Sequence, residues 1–491
     1  MQFAELVKGL PVLAAEGDLS VDVKGIAYDS RSAVPGSLFV AVPGFNVDGH
    51  AFIPQAAANG AVAFLVQRPE GLPEGPAWVA VPDSRKALAA VAARFYGYPA
   101  RELHIVGVTG TNGKTTTTYL MRSIYRHLGF KTGLIGTIQC LIDDQAVPVE
   151  RTTPESLDLQ RLFRRMRDGG VTRVVMEVSS HALALHRVDP ESIDTAIFTN
   201  LTQDHLDFHG DMESYYAAKE RLFLEQRAGT LAVVNADDPY GLRLKVSCKG
   251  RAITYGLRSG ADVRADDVRV TPKGAAFKIS SPWGEFKLGL KFTGLFNVYN
   301  SLGVTAAALG EGIPVQDIVN ALSTAPGVPG RFEQVDAGQD FTVIVDYAHT
   351  PDGLENVLRA AREIAPGRVI SVFGCGGDRD RGKRPRMGAV SARHADFSVI
   401  TSDNPRTEDP LAIIAEIEPG VRSAGGSYTV VPDRREAIRS ALQMAKNGDI
   451  VVIAGKGHET YQIVGGTRYP FDDRDVARAT LAEMGYTDYH A

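Results

Sequence analysis

Residues 105–128 carry an apolar run (Ile105, Val106, Val108), a glycine-rich turn ending in Lys114-Thr115, and a helical repeat in which Leu120, Ile124 and Leu128 recur. Strand, tight turn and helix in that order belong to an α/β sheet. Within Gly110-Thr111-Asn112-Gly113-Lys114-Thr115-Thr116 the two glycines let backbone N–H groups converge on phosphate oxygens. Lys114 adds a point charge, and the Thr115 hydroxyl is placed for Mg²⁺. The strict pattern G-x-x-x-x-G-K-[ST] calls for Gly at position 108, where Val stands, so the chain carries a shortened form. Gly129 sits where a helix C-cap belongs. Nucleotide binding is the first expectation.

At 491 residues the chain exceeds what one core usually serves, which suggests about three domains. The composition breaks favour residues 1–98, 99–330 and 331–491. The first ends at the turn-rich Tyr96-Gly97-Tyr98-Pro99, and the second alternates strand-like runs (173–178, 195–201, 231–235) with helical stretches. A net charge of −5 gives no basic footprint for nucleic acid. Three widely spaced cysteines without a C-x-x-C pair fit reduced thiols in a cytoplasmic setting. No apolar stretch reaches the roughly eighteen residues of a membrane span, so no membrane partner is expected.

The third segment has four apolar runs, each ending in a polar or glycine-rich cluster. Val343–Val345 leads into Asp346-Tyr347-Ala348-His349, Val369–Phe373 into Gly374-Cys375-Gly376-Gly377-Asp378-Arg379, Phe397–Ile400 into Thr401-Ser402-Asp403-Asn404-Pro405-Arg406, and Val451–Ala454 into Gly455-Lys456-Gly457-His458-Glu459. Such runs suit buried parallel strands, whose ligands bind at the carboxyl ends. In the middle segment, Glu177 ends a strand-like run from which its carboxylate can reach a metal held by Thr115. Asp204, His205, Asp207 and His209 crowd one stretch; the i, i+4 histidine pair lacks an H-E-x-x-H partner, so magnesium beside phosphates is preferred to zinc.

Gly110-Thr-Asn-Gly-Lys-Thr, Met176-Glu-Val-Ser-Ser-His, Thr199-Asn-Leu-Thr-Gln-Asp-His-Leu-Asp, Tyr216-Ala-Ala-Lys-Glu, Asn297-Val-Tyr-Asn, Gly330-Arg-Phe-Glu and Asp346-Tyr-Ala-His-Thr-Pro follow one another as in the Mur ligase family, which the whole chain resembles. The resemblance implies three α/β domains: an N-terminal UDP-binding domain, a central P-loop ATPase domain and a Rossmann-like C-terminal domain. The implied reaction is ATP-dependent addition of meso-diaminopimelate to UDP-N-acetylmuramoyl-L-alanyl-D-glutamate through an acyl phosphate, in peptidoglycan precursor synthesis, by a monomer.

Site roles follow from the same resemblance. Thr115 and Glu177 would hold one Mg²⁺ and His205 a second, assisted by Lys219 as a CO₂-derived carbamate. Read from the residues alone, Lys219 is a solvated helix lysine. Asn297 and Asn300 would lie on the adenine side of ATP, Arg331 on phosphate and Asp346 on the ribose, with closure at Arg331 excluding water. Ser30, Thr152, Thr153, Ser179 and Arg187 would contact the UDP-sugar dipeptide, although Asp29-Ser30-Arg31 also reads as a surface turn. Leu185 stands where related enzymes can carry a Gln that binds this substrate.

Asp403-Asn404-Pro405-Arg406 resembles the diaminopimelate-type signature. Arg406 and Arg379 would grip the distal carboxylate, and Asp403, Asn404, Gly455 and Glu459 would complete the amino-acid pocket, with Glu459 available to the ammonium. The same four residues also make a good turn, in which Arg406 would cap a helix carbonyl. A lysine-adding enzyme and a folylpolyglutamate synthetase-like ligase remain alternatives, disfavoured by Arg406 and by the N-terminal segment respectively. A P-loop switch protein is the alternative from another class.

Overall fold

The computed structural model describes residues 1–44, 47–149 and 151–486. The chain packs as two units, Met1–Thr254 and Tyr255–Ala491.

The first unit holds two sheets. Strands β1 (Ala14–Glu16), β2 (Gly25–Ala27), β3 (Ser37–Val40), β4 (Ala61–Val66) and β5 (Ala77–Ala80) form one in the order β1-β5-β4-β3-β2, parallel except for β1. The helix Ser84–Phe95 packs Leu88 and Val91 into its core. It starts at Asp83, whose carboxylate accepts from the N–H groups of Arg85 and Lys86, two donors the helix cannot satisfy itself.

The second sheet is built on β6 (His104–Thr109), β7 (Thr132–Ile135), β8 (Cys140–Ile142), β9 (Gln145–Val147), β10 (Arg173–Glu177), β11 (Thr195–Phe198) and β12 (Leu231–Asn235), ordered β12-β11-β6-β10-β7-β8-β9. Its five central strands are parallel and nearly continuous in buried apolar residues, as a sheet covered on both faces requires. Register places Glu177 opposite Val108, so its carboxylate stands beside the glycine-rich turn that follows β6. The helix Lys114–His127 starts from Gly113 at φ +87° and buries Leu120, Met121, Ile124 and Tyr125. Leu128 is its C-cap, and Gly129, at φ +81°, is the left-handed residue that ends it.

β13 (Arg251–Gly256) runs across the division between the units. In the second unit β14 (Val263–Thr271), β15 (Gly274–Ser281) and β16 (Gly284–Leu290) make an antiparallel meander. Its residues alternate between buried and exposed, the pattern of a sheet with one wet face. The buried helix Leu295–Gly310 follows.

The remaining sheet comprises β17 (Glu333–Val335), β18 (Thr342–Asp346), β19 (Val369–Phe373), β20 (Phe397–Ile400), β21 (Tyr428–Val430) and β22 (Ile450–Ala454), ordered β17-β18-β22-β19-β20-β21 and parallel except for β17. The four apolar runs singled out in the sequence are β18, β19, β20 and β22. They are mutual neighbours, so their polar clusters emerge along one carboxyl edge. A hairpin of β23 (Tyr461–Val464) and β24 (Thr467–Pro470) follows. Among the described residues no helix is long and apolar enough to cross a membrane.

Candidate active site

The glycine-rich turn closes around main-chain groups. At Gly110, φ is +147° and a Cβ would lie 1.9 Å from the Thr199 hydroxyl, so only glycine fits. Lys114 Nζ donates to the carbonyls of Gly110 and Thr111 at 2.9 and 2.8 Å, folding its charge across the mouth of the turn. The loop after β11 braces the turn: Thr111 N–H donates to Asn200 O at 2.8 Å, and Asn112 N–H to Asn200 Oδ1 at 3.0 Å. Thr116 is buried in the first helical turn.

Thr115 Oγ1 donates to Glu177 Oε1 at 2.9 Å, and Thr137 donates to the same carboxylate through its N–H at 2.9 Å and its hydroxyl at 3.1 Å. Glu177 is almost wholly buried. An anionic carboxylate beside a hydroxyl at the head of a phosphate-binding turn is a hard-oxygen pair suited to Mg²⁺, and the residues fit that ion. Bound there, Mg²⁺ would offset charge on the phosphoryl oxygens. Among the described residues no cluster of three or more His, Cys, Asp or Glu side chains is arranged to hold a metal.

Lys219 corrects the reading taken from the residues alone. Its side chain is 1% exposed, and Nζ donates to Gly110 O at 2.8 Å and lies 4.6 Å from the Tyr215 ring centroid. Burial, reinforced by the nearby Lys114 charge, pushes its amine well below the ordinary lysine range. The Tyr215 hydroxyl meets Thr111 Oγ1 at 3.1 Å, tying this helix to the turn.

His205 sits at φ +53°, with its ring 4.9 Å from that of His181 and 6.2 Å from that of Tyr215. Burial holds His205 below the usual histidine range and, with repulsion from His205 and His209, lowers His181 to about 4. An unfolded His181 binds its proton first as pH falls, so the first unit should lose stability between about pH 6.5 and 4. Urea titrations at several pH values check this: His181→Gln should flatten that part of the profile.

Four of the five residues assigned to the UDP-sugar dipeptide come together beside Glu177. Thr152 Oγ1 meets Thr137 Oγ1 at 3.0 Å, and Thr153 Oγ1 donates to Glu177 O at 2.9 Å. Ser179 N–H donates to Thr153 Oγ1 at 3.2 Å, and Arg187 donates to Thr153 O while pairing with Glu155 at 3.0 Å. Ser30 stands apart, buried in the 3₁₀ turn Ser30–Ser32, while its neighbours Asp29 and Arg31 form a surface pair. Leu185 is the C-cap of the short helix Ser180–Ala184.

In the second unit, Asn297 Nδ2 donates to Thr293 O at 2.7 Å and Asn300 Nδ2 to Asn297 Oδ1 at 3.2 Å, both buried. Arg331 lies over the Tyr347 ring at 4.8 Å. The Asp346 carboxylate accepts from Phe332 N–H at 2.6 Å and Ala348 N–H at 2.8 Å, and burial pushes its pKa up.

The amino-acid residues occupy the ends of β19, β20 and β22. A Cβ on Gly376 would lie 2.8 Å from Arg406 Nη1 and 3.9 Å from Arg379 Cγ, so both guanidinium-bearing chains flank this glycine. Arg406, at φ +53°, donates through Nη1 to Gly377 O at 2.7 Å; the group it reaches is a loop carbonyl. Pro405 O would lie 1.9 Å from a Cβ on Gly377. Asp403 Oδ1 accepts from Asn404 N–H at 2.6 Å, and Asn404 Nδ2 donates to Glu459 Oε2 at 2.9 Å. Gly455, at φ +121°, leaves the space into which Asp403 Oδ2 projects.

Two cations here were not anticipated. Lys456, in the cluster that follows β22, is fully buried. Arg434 had no motif at all: it is fully buried, paired through two bonds with Asp473 at 2.8 and 2.7 Å, and donates to Ser402 O and Ala454 O, the carbonyls just before Asp403 and Gly455.

Residues 108–308 match the Mur ligase middle domain, 330–457 the Mur ligase, glutamate ligase domain, and 22–96 the Mur ligase family, catalytic domain. The chain belongs to the Mur ligase family. It is an ATP-dependent, amide-bond-forming ligase. Curated relatives named UDP-N-acetylmuramoyl-L-alanyl-D-glutamate--2,6-diaminopimelate ligase include one from Geobacillus thermodenitrificans, 50% identical over 98% of this chain and 100% of the relative. Another, from Clostridioides difficile, is 44% identical over 99% and 100%. A solved Mur ligase structure of the same name is 33% identical, with a TM-score of 0.71 over 99% of this chain and 100% of that one. A Mycobacterium tuberculosis folylpolyglutamate synthase complexed with ADP and AMPPCP, 17% identical with a TM-score of 0.62 over 75% of this chain and 92% of that one, shares the fold.

Proposed function

We propose that this Mur ligase joins meso-diaminopimelate to UDP-N-acetylmuramoyl-L-alanyl-D-glutamate with cleavage of ATP to ADP and phosphate, in peptidoglycan precursor synthesis. The observation that carries the choice of amino acid is the edge formed by Asp403, Asn404, Arg406 and Glu459: guanidinium groups for a distal carboxylate, and carboxylates for ammonium groups. The names of the full-length relatives support the same reading. The lysine-adding alternative leaves Arg406 without a distal carboxylate to bind.

One of the two free carboxylates of the D-glutamyl residue attacks the γ-phosphorus, ADP departs, and an acyl phosphate results. The amine of diaminopimelate then attacks the acyl carbon, phosphate leaves with the bonding pair, and the nitrogen releases a proton. Lys114 neutralises charge on the transferring phosphoryl group, and the turn's N–H groups hold it in place. Thr115 and Glu177 would hold one Mg²⁺, and His205, assisted by Lys219, a second; the ions would supply charge compensation for the phosphoryl group. Thr152, Thr153, Ser179, Arg187 and Ser30 hold the UDP-sugar dipeptide. Asn297, Asn300, Arg331 and Asp346 serve the nucleotide. Three domains, 1–98, 99–330 and 331–491, carry these roles in a cytoplasmic monomer.

A carbamate on Lys219 is supported by burial of its amine and its depressed basicity, because CO₂ adds to the neutral amine and the product is an anion. With ¹³C-labelled bicarbonate, the wild type should show a carbamate carbon resonance that Lys219→Arg lacks; its absence from the wild type would remove this role. Arg406→Ala should raise KM for diaminopimelate by a factor corresponding to about 2–4 kcal/mol, with little effect on KM for ATP. Unchanged diaminopimelate kinetics would overturn the specificity assignment.

A further inference from the structure

We propose that Lys456, to which the reaction above gives no task, is a positioning and specificity-determining residue of the amino-acid pocket. The inference rests on the diaminopimelate reading. Lys456 is fully buried just after β22, yet its ammonium is directed at Asn404, a residue of the proposed pocket, and at Glu459, the residue assigned to the substrate's ammonium. Nζ donates to Asn404 Oδ1 at 3.2 Å and to Glu459 Oε2 at 3.0 Å, and lies 5.6 Å from the Tyr461 ring centroid.

The triangle closes because Asn404 Nδ2 also donates to Glu459 Oε2, at 2.9 Å. Ile463 N–H, on the hairpin strand β23, gives Asn404 Oδ1 a second donor at 2.9 Å. Two donors therefore fix which way the Asn404 amide faces, and two donors converge on one oxygen of Glu459. Both donors hold Oε2, which leaves Oε1 as the acceptor not engaged by Lys456 or Asn404. An incoming ammonium meets an oriented acceptor instead of a mobile one, which saves the cost of ordering it at binding.

The same ammonium adds a buried positive charge to the pocket, 3.0 Å from Glu459 Oε2. Diaminopimelate brings a carboxylate to its far end; lysine brings only an ammonium there. Like charges without a counter-ion are costly in a partly desolvated site, so Lys456 acts against lysine as well as for diaminopimelate.

The test is steady-state kinetics of wild type, Lys456→Met, Lys456→Gln, Glu459→Gln and the Lys456→Met/Glu459→Gln pair, with meso-diaminopimelate and with L-lysine. In both Lys456 variants, KM for diaminopimelate should rise about tenfold or more, while kcat stays within about threefold and KM for ATP is unchanged. The preference for diaminopimelate over lysine should fall. The double variant should be no worse than Glu459→Gln alone, because the lysine acts through that carboxylate. Lys456→Gln keeps a hydrogen-bond donor and tests the charge if the methionine variant does not fold. Unchanged diaminopimelate KM and discrimination in a folded Lys456 variant, or additive effects in the pair, would overturn the inference. A wild type that makes no product with diaminopimelate would instead overturn the reading on which it rests.

Discussion

Lys114→Met should lower kcat for ligation by about 10³-fold or more, while leaving KM for diaminopimelate nearly unchanged. The side chain crosses the turn to the carbonyls of Gly110 and Thr111, which places its ammonium where the β- and γ-phosphates of a nucleotide would meet the first turn of the helix. Charge accumulates on the transferring phosphoryl group, so loss of a fixed cation there is felt mainly in the transition state. A variant retaining near-normal kcat would remove Lys114 from phosphoryl transfer and leave it as a loop brace. Single-turnover measurement of ADP release separates that outcome from slow product departure.

Asp473→Ala should be the most damaging single change to the second unit, lowering its stability by about 3–5 kcal/mol. Both partners of the Arg434–Asp473 pair are completely excluded from solvent, so the substitution leaves a guanidinium buried without its carboxylate. Arg434 also donates to Ser402 O and Ala454 O, and its displacement would loosen the turns carrying Asp403 and Gly455. Thermal denaturation followed by circular dichroism should show the midpoint falling on the order of 10 °C. A midpoint within a degree or two of wild type would mean that the guanidinium reaches water or another anion, contrary to its packing.

Parts of the architecture were legible because their physics is local. Val369–Phe373 and Phe397–Ile400 are uninterrupted apolar runs, and a parallel strand covered on both faces needs nothing else; the strands have those bounds. Gly110 and Gly113 stand where the backbone takes positive φ, and Gly129 likewise ends its helix. The meander β14–β16 was not foreseen: its half-wet strands include Asp266, Asp267 and Arg269, whose alternation is easily lost in a segment otherwise read as α/β.

At the site, what escaped depends on partners distant in sequence. A lysine on a helix looks solvated until Gly110 O, 109 residues away, closes over it, as at Lys219. Arg434 acquires its meaning from Asp473, 39 residues on, and no spacing rule links them. Lys456 belongs to a legible glycine-rich cluster, but only the folded loop turns its ammonium onto both Asn404 and Glu459.

The most direct test of the central claim is mass spectrometry of the product formed by the purified protein with ATP, Mg²⁺ and UDP-N-acetylmuramoyl-L-alanyl-D-glutamate, supplied in parallel with meso-diaminopimelate or L-lysine. The expected result is the UDP-linked tripeptide containing diaminopimelate, with stoichiometric ADP and phosphate, and little or no lysine product. A product formed only with lysine, or ATP cleavage independent of both the amino acid and the UDP-dipeptide, would contradict it.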